Sequence, residues 1–396
     1  MVTTSFTPPR RVLMGPGPSD VHARVLQAMA RPTIGHLDPS FVTMMDELKD
    51  LLRYAFQTTN ALTLPVSAPG SAGMETCFVN LIEPGDTVIV CQNGVFGSRM
   101  KENVTRAGAT AVMVEDEWGT AVDLNKVEEA LKANPGAKAL AFVHAETSTG
   151  VLSDAKALCA LAAQHGALSI VDAVTSLGGA PLMVDDWGAD AVYSGSQKCL
   201  SCAPGISPVT FNDKAIEIIK ARKTPVQSWF LDLTLVMNYW TDGSGAPRAY
   251  HHTAPVNALY GLHEALVMLQ EEGIKNAWAR HRKNSDALRT GFQAMGLELL
   301  VGEDAYLPQL TTLRVPEGID HAEIRRRLLN NYDLEIGAGL GDLASKVWRI
   351  GLMGESSSPA HVLLCLSALE GTLSEMQAPI SKGEAIAAAQ AVLFDS

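Results

Sequence analysis

Two features are scarce in this 396-residue sequence: long apolar runs and basic charge. No window approaches the ~18 consecutive apolar residues of a membrane-spanning helix, so we expect no membrane partner. Lysine and arginine number 31 against 43 aspartates and glutamates, which gives a formal net charge of -12. Nucleic acids select basic protein surfaces, so we expect no nucleic-acid partner either.

Cysteine is also scarce, with six residues in the chain. That number does not make a disulfide framework in so long a chain, and the first residues lack the sustained apolar core of an export signal. We therefore expect reduced thiols and a cytoplasmic protein. Cys199 and Cys202 have the C-x-x-C spacing of a redox or zinc motif, but no second pair and no H-E-x-x-H sequence accompanies them. We expect no metal site.

What is present suggests an enzyme with two domains. Residues 1–25 read as an irregular arm, because Gly15-Pro16-Gly17-Pro18-Ser19 suits neither a helix nor a central strand. Residues 26–273 read as a large α/β domain and residues 274–396 as a smaller α+β domain, with an irregular stretch over 229–247. Hydrophobic periodicity predicts helices over 38–52, 123–133, 155–165, 257–272 and 276–295, and strands over 61–64, 86–90, 110–114, 138–143, 168–171, 189–193, 297–301, 310–315 and 348–351.

Three of the predicted strands are followed by a chemically reactive side chain. His144, Asp172 and Lys198 follow successive strands and lie 28 and 26 residues apart, which is about one βαβ unit each. Right-handed crossovers would bring all three to one edge of a parallel sheet, where α/β proteins bind ligands. We expect the site at that edge, with His144 in a packing or hydrogen-bonding role.

The residue types at this edge suit a planar, phosphorylated ligand with a ring nitrogen. A lysine at the mouth of a buried strand loses solvation, and the resulting free amine can form a Schiff base with an aldehyde. Asp172 can keep the ring nitrogen protonated, and Phe96 between two glycines can stack on the ring. The small-residue turn 67–73 before a helix can cradle a phosphate. These demands describe pyridoxal 5'-phosphate.

The chain also resembles the class V, fold-type I pyridoxal-phosphate aminotransferases, nearest to the alanine–glyoxylate and serine–glyoxylate enzymes. The motifs that carry the resemblance run through nearly the whole chain: Gly15-Pro16-Gly17-Pro18-Ser19, Glu146-Thr147-Ser148-Thr149-Gly150, Ser194-Gly195-Ser196-Gln197-Lys198, Tyr250-His251-His252-Thr253 and Arg349-Ile350-Gly351. The resemblance implies a mostly parallel central sheet with helices on both faces and a smaller C-terminal α+β domain.

The resemblance also implies roles for individual residues. Lys198 would bond to the cofactor, Asp172 would face its pyridine nitrogen, and Ser148 would lie near the ring hydroxyl. Gln197 and the Ala68-Pro69-Gly70-Ser71 turn would contact the phosphate. Pro69 and Ser71 depart from the small or histidine residues of the relatives, and Phe96 stands where some carry tryptophan.

Two further roles concern the substrate and a second subunit. Arg349 would bind the substrate carboxylate as a two-pronged donor. Tyr250 and Thr253 would reach the phosphate of the neighbouring subunit, so that a homodimer would share its active sites.

The resemblance implies transfer of an amino group from a small amino acid, alanine or serine, to glyoxylate. Ureidoglycine as donor, pyruvate as acceptor, and a lyase or decarboxylase reaction on the same cofactor stay open. A cysteine desulfurase is disfavoured, because residues 336–348 contain no cysteine. A binding protein without turnover, and a thiol redox or metal protein built on Cys199 and Cys202, are the alternatives from other classes.

Overall fold

The computed structural model describes residues 3–240 and 248–394. Within these residues the helices are α1 (Ala23–Met29), α2 (Pro39–Phe56), α3 (Gly70–Leu81), α4 (Val95–Arg106), α5 (Leu124–Ala133), α6 (Ala155–Gln164), α7 (Val184–Trp187), α8 (Asp213–Lys220), α9 (Leu233–Tyr239), α10 (Val256–Glu272), α11 (Ile274–Ala294), α12 (His321–Tyr332), α13 (Pro359–Glu375) and α14 (Ala385–Phe394). None of these helices is long and apolar enough to cross a lipid bilayer.

The strands of the same residues are short. They are β1 (Val12–Leu13), β2 (Leu62–Val66), β3 (Thr87–Gln92), β4 (Thr110–Glu115), β5 (Ala139–Val143), β6 (Ala145–Glu146), β7 (Val151–Leu152), β8 (Leu168–Asp172), β9 (Ala191–Tyr193), β10 (Ser207–Phe211), β11 (Leu310–Arg314), β12 (Leu334–Glu335), β13 (Gly337–Ala338) and β14 (Val347–Gly351).

Seven strands form the central sheet, in the order β2-β10-β9-β8-β5-β3-β4. All the pairings are parallel except those of β10, which runs antiparallel to both of its neighbours. The sequence patterns did not predict β10. Its second residue is Pro208, which cannot donate to a ladder and argues against a central strand. In the structure Pro208 lies opposite Pro65 of β2.

The carboxyl ends of three adjacent parallel strands are in register. Val143 of β5 pairs with Asp172 of β8, and Asp172 pairs with Tyr193 of β9. His144 follows the first of these residues, and the loop that carries Lys198 follows the last. The predicted convergence on one edge of the sheet is therefore confirmed.

Helix α3 lies close against this edge because of one glycine. A Cβ atom at Gly73 would fall within 1.9 Å of the Ser207 hydroxyl and 3.3 Å of the Tyr193 Cβ. The absence of a side chain lets the helix approach β9 and β10 closely. This approach holds the amino end of α3 beside the strand ends.

The buried apolar residues form two main clusters. The first extends from Val25 to Ala277 and packs around the central sheet. The second contains residues from Ala287 to Leu393, together with Met14 of the arm. Helix α11 contributes to both clusters, so it joins the two cores near the predicted boundary at residue 273.

The second core packs around a smaller sheet of order β11-β14-β13. The prediction of a strand over 297–301 is wrong, because these residues form only a single bridge, between Leu299 and Leu313. The irregular stretch expected over 229–247 contains helix α9, and its residues 241–247 lie outside the described residues.

The arm is anchored on both cores. Strand β1 pairs with β12 of the smaller core. The Ser19 N–H donates to the Gln197 carbonyl at 2.9 Å, and its hydroxyl donates to the Lys198 carbonyl at 2.8 Å. The segment 15–19 therefore lies against the lysine loop of its own chain.

Candidate active site

A cavity of about 190 Å³ opens at the carboxyl edge of the central sheet. It lies between the strand ends, the amino end of α3 and the first turn of α4. Seven of the residues predicted from the sequence line it: Pro69, Gly70, Ser71, Phe96, Asp172, Gln197 and Lys198.

Asp172 is a buried carboxylate with two hydrogen-bond donors. The Val174 N–H donates to one oxygen at 2.8 Å, and the Tyr193 hydroxyl donates to the other at 2.8 Å. Burial raises the pKa of Asp172 to about 6, while these two hydrogen bonds and the positive charge of Lys198 oppose the rise. At neutral pH the carboxylate is therefore mostly ionised and can pair with a cationic ring nitrogen.

Lys198 lines the same cavity. Burial lowers the pKa of its amine to about 8, and the nearby Arg349 adds to the lowering. About a tenth of an amine with that pKa is uncharged at pH 7, far more than for a solvated lysine. The ammonium form donates a hydrogen bond to the Pro16 carbonyl of the arm. Lys198 can thus act as a nucleophile towards an aldehyde and as a base.

The amino end of α3 presents free backbone donors to the cavity. Its cap, Pro69, makes no side-chain hydrogen bond to the helix, so the first N–H groups keep their capacity to bind an anion. Gln197 projects into the same space. Its buried side-chain oxygen has no hydrogen-bond partner among the described residues. Buried polar atoms are normally hydrogen-bonded, so the amide is available to a polar ligand. Ala68 does not line the cavity; its N–H donates to the Val66 carbonyl at 2.8 Å.

Phe96 forms a flat wall of the cavity from the first turn of α4. The guanidinium carbon of Arg99 lies 4.8 Å from the centroid of the Phe96 ring. Such a cation over a ring face favours one ring orientation. Sequence patterns did not single out Arg99, although a position three residues after Phe96 on one helix places the two side chains on the same face.

Ser148, which the resemblance implies near the ring hydroxyl, bonds in the structure to a residue outside the cavity lining. It is fully buried, does not line the cavity, and donates its hydroxyl to the Glu146 carboxylate at 2.6 Å. The residue of this motif that lines the cavity is Thr147. The two side chains point in different directions because the chain turns at residues 147–149 between β6 and β7.

Arg349 lies on β14 of the smaller sheet, is buried, and is not among the residues that line the cavity. Its Nε donates to the Ala338 carbonyl at 2.6 Å, and its Nη1 donates to the Thr147 carbonyl at 3.0 Å. Within the described residues these two bonds leave Nη2 and one Nη1 proton free for a carboxylate. Burial lowers the pKa of Arg349 to about 10, so it stays charged at neutral pH.

Tyr250 and Thr253 do not line the cavity of their own chain. Both are exposed, Tyr250 to 66%. Large apolar side chains are exposed on the same part of the chain and near its start, namely Ile34, Leu37, Trp229 and Phe230. The Tyr250 ring lies 5.4 Å from the ring of His36.

The remaining polar groups singled out by the sequence are packed away. His144 is buried with its ring edge-on to Trp187 at 5.3 Å, and burial lowers its pKa to about 4. All six cysteines are free thiols and buried. Burial raises the pKa of Cys199 and of Cys202 to about 12, which removes the thiolate that redox chemistry requires. Over the described parts of the chain, no group of three or more His, Cys, Asp or Glu residues could hold a metal ion.

These residues together fit pyridoxal 5'-phosphate. An acid that can pair with the pyridine nitrogen, an amine for the aldehyde, a flat wall for the ring and an anion-binding helix end all surround one cavity. The side-chain amide of Gln197, whose oxygen has no partner among the described residues, is available to a polar ligand in this cavity. The fold and the site thus define a class of protein, the pyridoxal-phosphate enzymes built on a mostly parallel sheet.

Comparisons with known proteins narrow that class. The model of the aminotransferase class-V family matches residues 13–349. Alanine–glyoxylate aminotransferase of Oryctolagus cuniculus is 42% identical over 92% of this chain and 93% of its own length. (S)-Ureidoglycine–glyoxylate transaminase of Bacillus subtilis is 38% identical over 96% of this chain and 95% of its own.

Solved structures agree with this result. The ureidoglycine–glyoxylate aminotransferase from Bacillus subtilis superposes with a TM-score of 0.95 at 38% identity, covering 98% of this chain and 100% of that chain. Alanine–glyoxylate aminotransferase from Nostoc sp. superposes with a TM-score of 0.91 at 45% identity, covering 94% of this chain and 98% of that chain.

The chain belongs to the class V aminotransferases. It is an enzyme that transfers amino groups, its cofactor is pyridoxal 5'-phosphate, and the fold-type I architecture expected from the sequence is confirmed.

Proposed function

We propose that this aminotransferase moves the amino group of a small amino acid, alanine or serine, to glyoxylate, giving glycine and a keto acid. The observation that carries the proposal is that Lys198, Asp172 and Phe96 line one small cavity, with Arg349 bonded to Thr147 on its wall. The likeness to alanine–glyoxylate aminotransferases supports the choice of a small amino donor and of glyoxylate.

The proposed mechanism assigns one task to each of these residues. When bound, pyridoxal 5'-phosphate supplies an aldehyde that takes up the donor amine and a ring that withdraws electrons from the α-carbon. Asp172 keeps the ring nitrogen protonated. Lys198 removes the α-proton of the donor and later returns a proton, a task that suits an amine with a pKa of about 8. Arg349 holds the carboxylate of the donor and then of the acceptor.

The cofactor phosphate is proposed to lie at the amino end of α3. Gly70, Ser71 and Gln197 line that end of the cavity and supply neutral donors. The second subunit of a homodimer is proposed to complete the phosphate site with Tyr250 and Thr253. The exposure of both residues, beside other exposed apolar side chains, supports this arrangement.

Hybrid dimers test the shared site. Inactive Lys198→Ala chains are mixed with Tyr250→Ala chains, and the subunits are allowed to exchange. If Tyr250 serves the partner subunit, half of the hybrid's sites carry neither lesion and activity rises above that of either parent. If Tyr250 serves its own subunit, every hybrid site carries one lesion and no activity is gained.

A screen of amino donors against acceptors tests the substrates. Alanine, serine and (S)-ureidoglycine are each paired with glyoxylate and with pyruvate, and glycine and keto acid are quantified. We expect the highest kcat/KM with alanine or serine and glyoxylate. Preference for (S)-ureidoglycine would favour the second candidate, which the likeness to the Bacillus subtilis enzyme supports. Product without transamination, such as net loss of CO₂, would contradict both.

We also propose the division into an arm at 1–25, a large domain at 26–273 and a small domain at 274–396. The two separate apolar cores support it. A cytoplasmic location is proposed as well. The six buried free thiols suit a reducing compartment.

A further inference from the structure

Glu146 is a fully buried carboxyl group that none of the steps above uses. A buried carboxylate is costly unless hydrogen bonds replace its water. Three donors do so: the Ser148 N–H at 2.9 Å and the Ser148 hydroxyl at 2.6 Å on Oε1, and the Phe96 N–H at 3.2 Å on Oε2. Burial raises the pKa of Glu146 to about 7 in spite of these bonds.

The Oε2 side of the carboxyl fixes the first turn of α4. The cap of that helix is Gly94, which has no side chain to satisfy the first N–H groups. Residues of β6 and of the turn that follows it accept from these groups instead: the Ser148 hydroxyl accepts from Val95 N–H at 2.9 Å, and Glu146 accepts from Phe96 N–H. A Cβ at Gly94 would fall within 2.4 Å of the Glu146 carboxyl carbon, so the glycine permits this approach.

The Oε1 side of the carboxyl fixes a second part of the cavity wall. Its two bonds to Ser148 close a tight turn around Thr147. Thr147 lines the cavity, and its carbonyl is the acceptor that holds Arg349 Nη1. The two oxygens of one side chain therefore support the ring wall and the carboxylate wall separately.

We propose that Glu146 is a positioning residue that sets Phe96 against the cofactor ring through one oxygen and Thr147, hence Arg349, through the other. The proposal rests on the function proposed above, because it needs the cofactor in this cavity and the substrate carboxylate at Arg349. Glu146 does not line the cavity, so its effect is transmitted through the two walls.

Glu146→Gln separates the two walls. The amide oxygen can still accept both bonds from Ser148, but the amide nitrogen then faces the Phe96 N–H, which is donor against donor. We expect the ring wall to loosen and the turn around Thr147 to survive. The probe is pyridoxamine 5'-phosphate titrated into the apoprotein, because it has no aldehyde to bond with Lys198 and its Kd reports contacts alone.

We expect Glu146→Gln to weaken binding of the cofactor much more than binding of the substrate. The Kd for pyridoxamine 5'-phosphate should rise about tenfold, which is about 1.4 kcal/mol, while the KM for alanine changes less than about threefold. In a Phe96→Ala background the same Glu146→Gln change should raise the Kd by less than about twofold, because the wall it acts through is gone. Glu129→Gln, an exposed glutamate on α5 with no role in the cavity, is the matched control and should change nothing.

Additive effects of Glu146→Gln and Phe96→Ala on the Kd, or an unchanged Kd in Glu146→Gln, would overturn the positioning role while leaving the proposed reaction intact. Failure of the wild-type protein to bind pyridoxamine 5'-phosphate would overturn both. If Glu146→Gln does not fold, Ser148→Ala replaces it. That variant removes the acceptor for Val95 N–H, and it should raise the Kd in the wild-type but not in the Phe96→Ala background.

Discussion

Replacing Tyr193 by phenylalanine tests how the Asp172 charge is maintained. Tyr193 is fully buried, and its hydroxyl donates one of the two hydrogen bonds to the Asp172 carboxylate, at 2.8 Å. A hydrogen bond to a charged group is worth about 1.5–3 kcal/mol. At 1.36 kcal/mol per pH unit, its loss should raise the Asp172 pKa by about one to two units from its present value of about 6.

The sign of the effect on cofactor binding follows from this shift. Asp172 must be ionised to pair with the ring nitrogen, so affinity for pyridoxamine 5'-phosphate should fall as the pH drops through the Asp172 pKa. In the wild-type apoprotein the fall should be centred near pH 6, and in Tyr193→Phe about one or two units higher. Isothermal titration calorimetry at closely spaced pH values measures the affinity of both proteins as a function of pH.

Tyr332→Phe, on α12 in the smaller core, is the matched control. It should leave unchanged the pH at which the affinity falls on acidification, which is the acid limb of the curve. The reasoning about Asp172 would be refuted if the acid limb of Tyr193→Phe coincided with that of the wild type, or moved to lower pH. Loss of affinity at every pH without displacement of the limb would show that the hydroxyl acts on packing and not on charge.

Three further outcomes are expected. Arg349→Lys should raise the KM for alanine about tenfold to a hundredfold, because a two-pronged charged donor is lost, and should leave the Kd for pyridoxamine 5'-phosphate unchanged. Steady-state kinetics measures the KM, with Arg314→Lys as the control, and an unchanged KM in Arg349→Lys would contradict the role. Cys199→Ser combined with Cys202→Ser should keep kcat/KM within about twofold, and near-complete loss in a folded protein would revive a thiol role. Lys198→Met should stabilise the apoprotein at pH 7 by about 3 kcal/mol, because a pKa lowered from 10.5 to about 8 makes the buried ammonium costly to the folded state. That gain should shrink as the pH rises from about 8 towards 10.5, and equal melting temperatures at pH 7 would count against the lowered pKa.

The strand ends show how far the sequence could lead. Mostly apolar runs followed by a reactive residue at βαβ spacing predicted that Asp172 and Lys198 would meet, and the register of β5, β8 and β9 brings their strand ends to one edge. That inference needed only the handedness and parallel direction of the connections. The same patterns missed β10, because proline has no N–H to donate and Pro208 therefore argues against a central strand. The pairing of Pro208 with Pro65 becomes visible only in the structure.

Which residues line the cavity depends on the direction of their side chains, and sequence motifs do not predict that direction. Ser148 and Thr147 are neighbours in one motif, yet only Thr147 lines the cavity. Tyr193 and Glu146 support the site through hydrogen bonds to residues distant in the chain, at Asp172 and Phe96. Such pairs become visible only when the register of the strands and the start of α4 are known.

The most direct test of the central claim is to locate the covalent bond to the cofactor. The protein is loaded with pyridoxal 5'-phosphate, reduced with borohydride to fix the cofactor to its amine, digested, and mapped by mass spectrometry. We predict that the cofactor mass is found on the peptide that contains Lys198, and on no peptide of the Lys198→Ala protein. Stoichiometric labelling of a different lysine in the wild-type protein would contradict the assignment of this cavity as the active site.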